Sequence, residues 1–391
     1  MKTSTFLYIN KAYAWEQRKL GELVQFINGR AYKQEELLDV GKYKVVRVGN
    51  FNTNEKWYFS DLELETDKYM DNGALLYLWA TSFGPVIWQG EKAIFHYHIW
   101  KLNNFESLDK KYLYSFLEWD KNKISQNTNG STMVHITKNM IEQRDIEYPT
   151  KSEQYRIGSL LESVDNLITL HQRKYDALKT MKKTLLSKMF PKDGEDVPEI
   201  RFKGYTDAWE QRKLGSEFKK VNERNDGTFG KGHWISVAKM YFQDPEKVQS
   251  NNIDTRTYVM RLGDIAFEGH PNNEFQFGRF VANDIGNGVV SELFPVYRHK
   301  TPYYNNYWKY AIQQERIMAP IFAKSITSSG NSSNKLDPKH FLRQKVRIAT
   351  LDEQKNIGDF LVEIDNLITL HQRKLEELKN MKKTLLQQMF V

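Results

Sequence analysis

The sequence predicts an α+β fold with two globular domains of mixed α and β structure. Two long antiparallel coiled-coil helices are expected to separate these domains, in an arrangement with approximate two-fold symmetry. Two observations favour this fold. Long motifs occur twice in the 391-residue chain, and each copy of the repeat closes with a proline-free stretch of helical apolar periodicity.

Composition indicates a folded protein that is compatible with a polyanionic partner. Hydrophobic residues make up 40% and aromatic residues 13% of the chain, which excludes a disordered protein. The 57 basic residues exceed the 49 acidic ones, so the net charge is +8. The chain has no cysteine and no apolar run of about 18 residues. We therefore expect no disulfide, no thiol chemistry, no membrane span and a cytoplasmic location.

The repeat is a single duplication that preserves a frame and varies its contents. The octapeptide AWEQRKLG and the later motifs DNLITLHQRK and MKKTLL each occur twice, in the same order. Their positions are Ala14–Gly21 and Ala208–Gly215, Asp165–Lys174 and Asp365–Lys374, and Met181–Leu186 and Met381–Leu386. Drift after duplication would blur the frames and the inserts alike. Nearly identical frames around unlike inserts therefore indicate one type of task performed on two different targets.

The frame motifs define the predicted domain boundaries. The predicted segments are a first recognition domain at 1–150, a first spacer helix at 151–190, a linker at 191–207, a second recognition domain at 208–350 and a second spacer helix at 351–391. Each helix of about 39 residues would be roughly 58 Å long. The 18 residues between Phe190 and Trp209 reach only about 60 Å when fully extended. The short linker therefore favours antiparallel helices.

A narrow apolar stripe on each helix predicts the seam through which the two helices pair. The seam residues are Ile157, Leu161, Val164, Ile168, His171, Leu178, Leu185, Ile357, Leu361, Ile364, Ile368, His371, Leu378 and Leu385. The two histidines interrupt the stripe at matching positions. We interpret them as polar residues that fix the register of the pair, and a metal or switch role is the alternative.

Both inserts read as mixed α and β structure. In the first, strands are predicted at Lys42–Val48, Ala74–Ala80 and Ala93–Leu102, and a helix at Lys110–Ile124. In the second, strands are predicted at Thr257–Leu262, Asp264–Gly269, Gly278–Asp284 and Val289–His299. A helix is predicted to begin near Tyr303 and to end at Pro320.

Candidate DNA-binding residues fall into two groups. Polar glycine-containing loops near the end of each insert expose backbone N–H groups that suit phosphate contacts, although a solvated surface loop is the alternative. The loop candidates are Asn129, Gly130, Ser131, Thr132, Ser329, Gly330, Asn331 and Ser332. Basic residues in the inserts could contact bases or phosphates. They are Arg30, Lys92, Arg224, Lys231, Arg261 and Arg279.

No catalytic residues and no metal site are predicted. The segment GTFGKGH lacks the P-loop spacing, and no dinucleotide fingerprint or Ser–His–Asp signature is found. His96 and His98 would share one face of a strand, which could begin a metal site, but no third ligand occurs at a telling spacing.

The duplicated frame resembles the specificity subunit of type I restriction–modification enzymes, and the resemblance covers nearly the whole chain. It is carried by AWEQRKLG, the later DNLITLHQRK and MKKTLL motifs, and their second copies. The segment TSTFLYINKAY before the first octapeptide departs from the family's usual lead-in, whereas VPEIRFKGYTD before the second agrees with it.

The resemblance implies a non-catalytic DNA-binding subunit. Each insert would be a target recognition domain that reads one half of a bipartite, asymmetric site in double-stranded DNA, and the paired helices would set the gap between the halves. Two modification subunits would carry S-adenosylmethionine. Restriction subunits would use ATP and Mg, and this chain itself would bind no cofactor. Two alternatives remain, namely a two-headed protein scaffold without DNA binding and a hydrolase with an unrecognised active site.

Overall fold

The computed structural model describes residues 15–52, 54–80, 82–127, 136–248, 253, 256–329 and 333–390. The chain forms two compact units. The first unit comprises Met1–His171 with Lys374–Val391, and the second unit comprises Gln172–Arg373. These boundaries differ from the predicted domain boundaries because each unit contains part of both long helices.

Among its described residues, the first unit contains ten strands, three complete α-helices and parts of the two long helices. The strands are β1 (Glu16–Lys19), β2 (Gln25–Asn28), β3 (Tyr43–Val46), β4 (Tyr58–Ser60), β5 (Tyr69–Met70), β6 (Leu75–Ala80), β7 (Ser82–Ile87), β8 (Ala93–Phe95), β9 (Ile99–Asn103) and β10 (Asp145–Tyr148). The helices are α1 (Leu20–Leu23), α2 (Lys110–Asn127), α3 (Lys138–Glu142) and α4 (Lys151–Lys188).

Two four-stranded sheets form the insert of the first unit. One sheet is antiparallel, with the order β2-β9-β6-β7. The other has the order β4-β3-β8-β5, and its central pair β3–β8 is parallel. The frame contributes the separate antiparallel pair β1–β10, in which the octapeptide forms β1. The insert is thus built on a strand pair that the frame supplies.

The second unit has a different insert on the same frame. Its strands are β11 (Glu210–Lys213), β12 (Phe218–Val221), β13 (Ile235–Ser236), β14 (Tyr241–Phe242), β15 (Thr257–Met260), β16 (Ile265–Glu268), β17 (Arg279–Ala282), β18 (Gly288–Ser291), β19 (Val296–His299), β20 (Ile326–Ser329), β21 (Asn334–Leu336) and β22 (Lys345–Ile348). Its helices are α5 (Leu214–Glu217), α6 (Asn305–Ala311), α7 (Glu315–Ala323), α8 (Pro338–Arg343) and α9 (Leu351–Met389). These strands form one four-stranded antiparallel sheet, with the order β12-β19-β16-β17, and four separate strand pairs. One of the pairs, β11–β22, belongs to the frame.

The two long helices run antiparallel within each unit, as predicted. In the first unit, Leu161 near the start of α4 and Phe390 just after α9 share one apolar core. In the second unit, Phe190 just after α4 shares a core with Leu361 near the start of α9. An antiparallel pair is the arrangement that brings the start of each helix to the end of the other.

Reciprocal ion pairs join the repeated motifs of one copy to those of the other copy. Lys382 of the second MKKTLL lies 2.6 Å from Asp165 of the first DNLITLHQRK. Lys182 of the first MKKTLL lies 2.6 Å from Asp365 of the second DNLITLHQRK. Each motif therefore pairs with the partner motif from the other copy, which requires both copies to keep the same sequence.

The seam is most deeply buried toward the start of each helix. The buried seam residues are Ile157, Leu161, Val164, Ile357, Leu361, Ile364 and Leu378. The half-buried seam residues are Ile168, His171, Leu178, Leu185, Ile368, His371 and Leu385. Leu375, which lies on the same apolar stripe, is also buried.

A matching aromatic cluster closes the frame core in each unit. In the first unit, the ring of Tyr112 lies 5.2 Å from Phe390 and 6.4 Å from Trp15. In the second unit, the ring of Tyr307 lies 5.7 Å from Phe190 and 6.1 Å from Trp209. Edge-to-face and tilted contacts at these distances stabilise aromatic clusters.

The single glycine of each long helix permits close helix packing. A Cβ atom on Gly158 would lie 2.7 Å from the Tyr112 backbone nitrogen, and one on Gly358 would lie 2.5 Å from the Tyr307 backbone nitrogen. Both glycines therefore admit the backbone of the insert helix that carries the clustered tyrosine.

Three predicted elements are interrupted. The single strand predicted over Ala93–Leu102 is wrong, because the Ile99 N–H donates to the His96 carbonyl at 3.0 Å and closes a turn between β8 and β9. The single strand predicted over Val289–His299 is likewise two strands, since a turn at Glu292–Pro295 separates β18 from β19. The helix expected to end at Pro320 is divided near Gln314 instead, and Pro320 lies inside α7.

Candidate nucleic-acid interface

The turn between β8 and β9 presents His96, Tyr97 and His98 at the edge of the first unit. We call it the His–Tyr–His turn. The His96 N–H donates to the Val46 carbonyl at 2.9 Å, and the Tyr97 N–H donates to the Arg30 carbonyl at 3.1 Å. These bonds tie the turn to two neighbouring segments, so its side chains project from a rigid support.

A series of aromatic contacts joins this turn to the core. Tyr77 stacks on Trp100 at 6.0 Å, and Trp100 stacks on Trp79 at 5.7 Å. Trp79 then contacts the His98 ring edge-on at 4.8 Å and donates its indole N–H to the Tyr97 carbonyl at 2.9 Å. Tyr97 is 40% exposed, whereas Trp100 is 3% exposed. The exposed tyrosine therefore stands at the outer end of a fixed aromatic series.

Basic side chains flank the turn. The Arg47 guanidinium lies 4.0 Å from the centre of the Tyr58 ring. Arg30 pairs with Glu36 at 2.6 Å and lies 5.3 Å from the Tyr32 ring. Such cation–π contacts orient a charge while leaving its outer face accessible. An oriented guanidinium beside an exposed aromatic ring suits contacts with phosphates and base edges.

His96 is neutral at physiological pH. Burial, together with the nearby His98 and Arg47, lowers the pKa of its imidazole from 6.5 to about 4. A neutral imidazole offers one donor and one acceptor nitrogen. His96 can therefore make hydrogen bonds to either type of group on a base edge without adding charge.

In the second unit, two of the predicted basic residues lie near the hairpin formed by β13 and β14. This aromatic hairpin exposes Tyr241 by 48% and Phe242 by 37%. Lys231 is exposed in a short turn whose His233 ring lies 6.2 Å from Phe242. Arg279 donates to the Ala238 carbonyl of the hairpin at 2.5 Å. Exposed rings and cations again occur together.

The other predicted arginines of the second unit are held by carboxylates. Arg224 pairs with Glu292 at 2.8 Å, and its guanidinium lies 4.5 Å from the Tyr258 ring. Arg261 pairs with Glu223 at 2.5 Å. A phosphate at either arginine would have to compete with the carboxylate already bound.

The remaining candidates are dispersed or lie beyond the described chain. Lys92 is exposed and lies 4.4 Å from the Tyr69 ring. Ser329 ends β20. The loop candidates Asn129, Gly130, Ser131, Thr132, Gly330, Asn331 and Ser332 lie outside the described residues. The contact of all these residues with DNA stays a prediction.

The first copy of the frame matches a known domain family. Residues 13–180 match the model for the type I restriction modification DNA specificity domain. These residues belong to that domain family. The resemblance predicted from the frame motifs is therefore confirmed, and the second copy of the frame repeats the same specificity-domain motifs.

Similarity extends over nearly the whole chain. The type I restriction enzyme MjaVIII specificity subunit of Methanocaldococcus jannaschii is 23% identical over 407 residues, covering 95% of this chain and 91% of that protein. The type I restriction–modification S subunit from M. genitalium has a TM-score of 0.61 at 15% identity, with 98% of both chains covered. The fold is thus that of solved specificity subunits.

Neither a membrane helix nor a metal cluster is found in the described part of the chain. In that part of the chain, no helix is long and apolar enough to cross a membrane. Among the same residues, no three histidine or acidic side chains group as metal ligands, although the rings of His96 and His98 are 4.9 Å apart.

Sequence reasoning did not find the His–Tyr–His turn as an interface. The segment FHYHIW read as one strand, in which His96 and His98 would share a face. The available signal was the run of three polar aromatic residues between two apolar segments, which breaks strict alternation. Arg47 was missed because its sequence neighbours are typical of a buried strand.

Proposed function

We propose that this chain is the non-catalytic DNA-reading subunit of a type I restriction–modification complex. Each unit reads one half of a bipartite, asymmetric site in double-stranded DNA. The observation that carries the proposal is the identical frame around unlike inserts. The strand pairs β1–β10 and β11–β22 have the same register, in which Glu16 faces Tyr148 and Glu210 faces Ile348. The four-stranded antiparallel sheet has the same strand order in both inserts, β2-β9-β6-β7 and β12-β19-β16-β17. The remaining described strands form a second four-stranded sheet in the first insert and three separate pairs in the second.

The surfaces within the inserts support contact with DNA. The His–Tyr–His turn and the aromatic hairpin each combine exposed rings with basic side chains, and the two differ in sequence and in geometry. Different side chains on a shared frame would read different base sequences, because specificity resides in contacts to base edges.

The two frames support the docking of two modification subunits, one at each copy. Those subunits would bring S-adenosylmethionine, and restriction subunits with ATP and Mg would complete the complex. This chain would contribute the recognition of sequence and no catalytic group. Its role in the reaction is to position the modification subunits at the two halves of the target.

The modified sequence tests the proposal directly. The chain is co-expressed with its modification subunit, and the host genome is analysed by methylation-aware sequencing. One motif with two defined parts and an undefined gap is expected. A single compact motif would contradict the assignment of one unit to each half.

The salt dependence of DNA binding separates this function from a protein scaffold. Each phosphate contact releases counterions, so the logarithm of the binding constant should fall steeply with the logarithm of salt concentration. Binding of duplex DNA by the full chain with its modification subunit is measured over a range of salt. A flat response would favour a scaffold that bridges proteins without DNA.

A further inference from the structure

A groove of about 520 Å³ in the second unit lies against the frame strands β11 and β22. Ile317, Ile321 and Val346 supply apolar surface in the groove. Its basic residues are Lys192, Lys324, Arg343, Lys345 and Arg347, and its acidic residue is Asp193. The groove therefore combines an apolar surface with a marked excess of positive charge.

Most of this positive charge is not neutralised within the unit. Lys192 pairs with Glu199 at 3.2 Å, and Arg347 lies 3.9 Å from Asp196. In the described part of the chain, no carboxylate lies within salt-bridge distance of Lys324, Arg343 or Lys345. Three cations thus face solvent in one concave surface.

The strand pair beside the groove has two lysines at opposed positions. Lys345 on β22 lies directly opposite Lys213 on β11. Like charges at directly opposed positions destabilise a strand pair. At the corresponding position of the first unit, Asp145 faces Lys19 and forms an ion pair at 2.8 Å. The second unit therefore lacks the ion pair that the frame of the first unit forms at this position.

The corresponding groove of the first unit has the opposite charge at its strand positions, where Asp145 and Glu147 lie, and it also contains Lys123. It is formed by Gln17, by Glu147 and Asp145 on β10, and by the residues that end α9. The second groove has Gln211, Arg347 and Lys345 at the matching positions. Two copies of one frame thus present acidic and basic versions of the same groove.

We propose that the basic groove of the second unit docks an acidic segment of a protein partner. An apolar side chain of that segment would rest on Ile317 and Ile321, and its carboxylates would pair with Lys345 and Arg347. The acidic groove of the first unit repels the same segment. The partner consequently binds one end of the repeat and not the other, which gives a nearly symmetric frame a single docking site.

The apolar surface and the charge reversal favour a polypeptide over DNA. A phosphodiester backbone has no apolar side chain to cover Ile317, Ile321 and Val346. A duplex contacted through the frame would also be repelled by Asp145 and Glu147 at the equivalent place. This inference goes beyond the reading of DNA and does not depend on it.

Binding of an acidic peptide to the full-length chain tests the proposal. The probe is a short fluorescein-labelled peptide in which glutamates flank a leucine, and binding is followed by fluorescence anisotropy at low salt. One peptide should bind per chain. The variant Lys345→Asp with Arg347→Glu should bind it about tenfold more weakly or worse, since two attractive charges become repulsive.

Two further variants separate the groove from general electrostatics. Lys219→Asp with Lys220→Glu makes the same change in net charge at exposed lysines of β12 outside the groove, and it should bind the peptide as the unmodified chain does. Asp145→Lys with Glu147→Arg should convert the acidic groove and raise the stoichiometry to two peptides. Thermal unfolding checks that each variant is folded, and Lys345→Asp should not lower the melting temperature.

Four results would overturn the proposal. The first is an absence of peptide binding. The second is an equal loss of peptide affinity in the groove variant and in the β12 variant. The third is a loss of duplex-DNA affinity in the groove variant that matches its loss of peptide affinity. The fourth is a dimer of the unmodified chain that the groove variant abolishes, because it would assign the groove to a second copy. Unchanged DNA binding by the groove variant supports the proposal and leaves the DNA-reading function intact.

Discussion

We expect the proposed recognition of DNA by the first unit to depend most on the side chain of Tyr97. It is exposed, yet its backbone is fixed by hydrogen bonds to Arg30 and Trp79. Because the backbone is already fixed, this segment would lose less conformational entropy on binding, which favours affinity. The flanking Arg47 is oriented by Tyr58 in the same way.

Replacing Tyr97 should weaken DNA binding without affecting folding. Tyr97→Ala removes a ring that is 40% exposed, so the free energy of unfolding should change by less than about 0.5 kcal/mol. Affinity for the cognate duplex should fall about tenfold, as for the loss of one good base contact. Tyr155→Ala, at an exposed position of α4, is the matched control and should bind normally. Equal affinity of the two variants would remove the turn from the interface.

His299 makes the stability of the second unit depend on pH. Its ring stacks on Tyr303 at 3.8 Å, and both ring nitrogens are buried without a hydrogen-bond partner among the described residues. Burial lowers the pKa of His299 from 6.5 to about 3. Between these values the unfolded chain binds a proton that the folded chain does not, so acid favours unfolding.

Unfolding measured across pH should show this effect. As the pH falls below about 6.5, the free energy of unfolding should decrease by up to about 1.4 kcal/mol per pH unit through His299. The variant His299→Phe keeps an aromatic ring and should lose that part of the slope. Parallel curves for the variant and the unmodified chain would show that His299 does not titrate as a buried group.

At the scale of elements, the long helices owe their stability to one buried stripe. Leu361 has no exposed surface in α9, whereas Leu367 on the same helix is 38% exposed. Leu361→Ala should cost about 2–5 kcal/mol of unfolding free energy, because it removes buried methyl groups and leaves a cavity. Leu367→Ala is the matched control and should cost far less. Denaturant unfolding gives both values, and similar losses would contradict the assigned stripe.

The long helices and the frame could be predicted from sequence because their signals are local and occur twice. Helical periodicity over α4 and α9 needs no tertiary information, and the second copy of each motif confirms the first. The turn at His96–His98 could not be predicted in this way. Phe95 and Ile99 are both buried, so the apolar pattern continues through the turn.

The basic residues of the candidate site could be named from the sequence. The sequence could not show which of them are neutralised by carboxylates. Arg261 is neutralised by Glu223 and Arg224 by Glu292, partners that are 38 and 68 positions away in the chain. Only the fold brings such pairs together. Lys231 and Arg279 both lie near the aromatic hairpin for the same reason, although 48 positions separate them in the chain.

At the scale of the whole molecule, each core depends on both copies of the repeat. Phe390 follows the second copy's helix but packs on Tyr112 and Phe116 of the first unit. Phe190 follows the first copy's helix and packs on Tyr307 and Trp209 of the second unit. Neither unit is complete with the residues of one copy alone.

Removal of the Phe390 ring should therefore destabilise the first insert. Phe390→Ala should lower the stability of the first unit by about 3–5 kcal/mol, since a buried phenyl ring is lost. Hydrogen exchange should accelerate in α2, which carries Tyr112. Leu370→Ala, at a site that is 58% exposed on α9, serves as the control. Unchanged exchange in α2 would contradict the shared core.

The central claim is that each insert reads its own half of one DNA target, and exchanging a single insert tests it most directly. The first insert is replaced by that of another specificity subunit, with the frame and the second insert unchanged. Methylation-aware sequencing of a host that carries the modification subunit then identifies the modified motif. We predict that one half of the motif changes and the other half is retained. Alteration of both halves, or of neither, would contradict the claim.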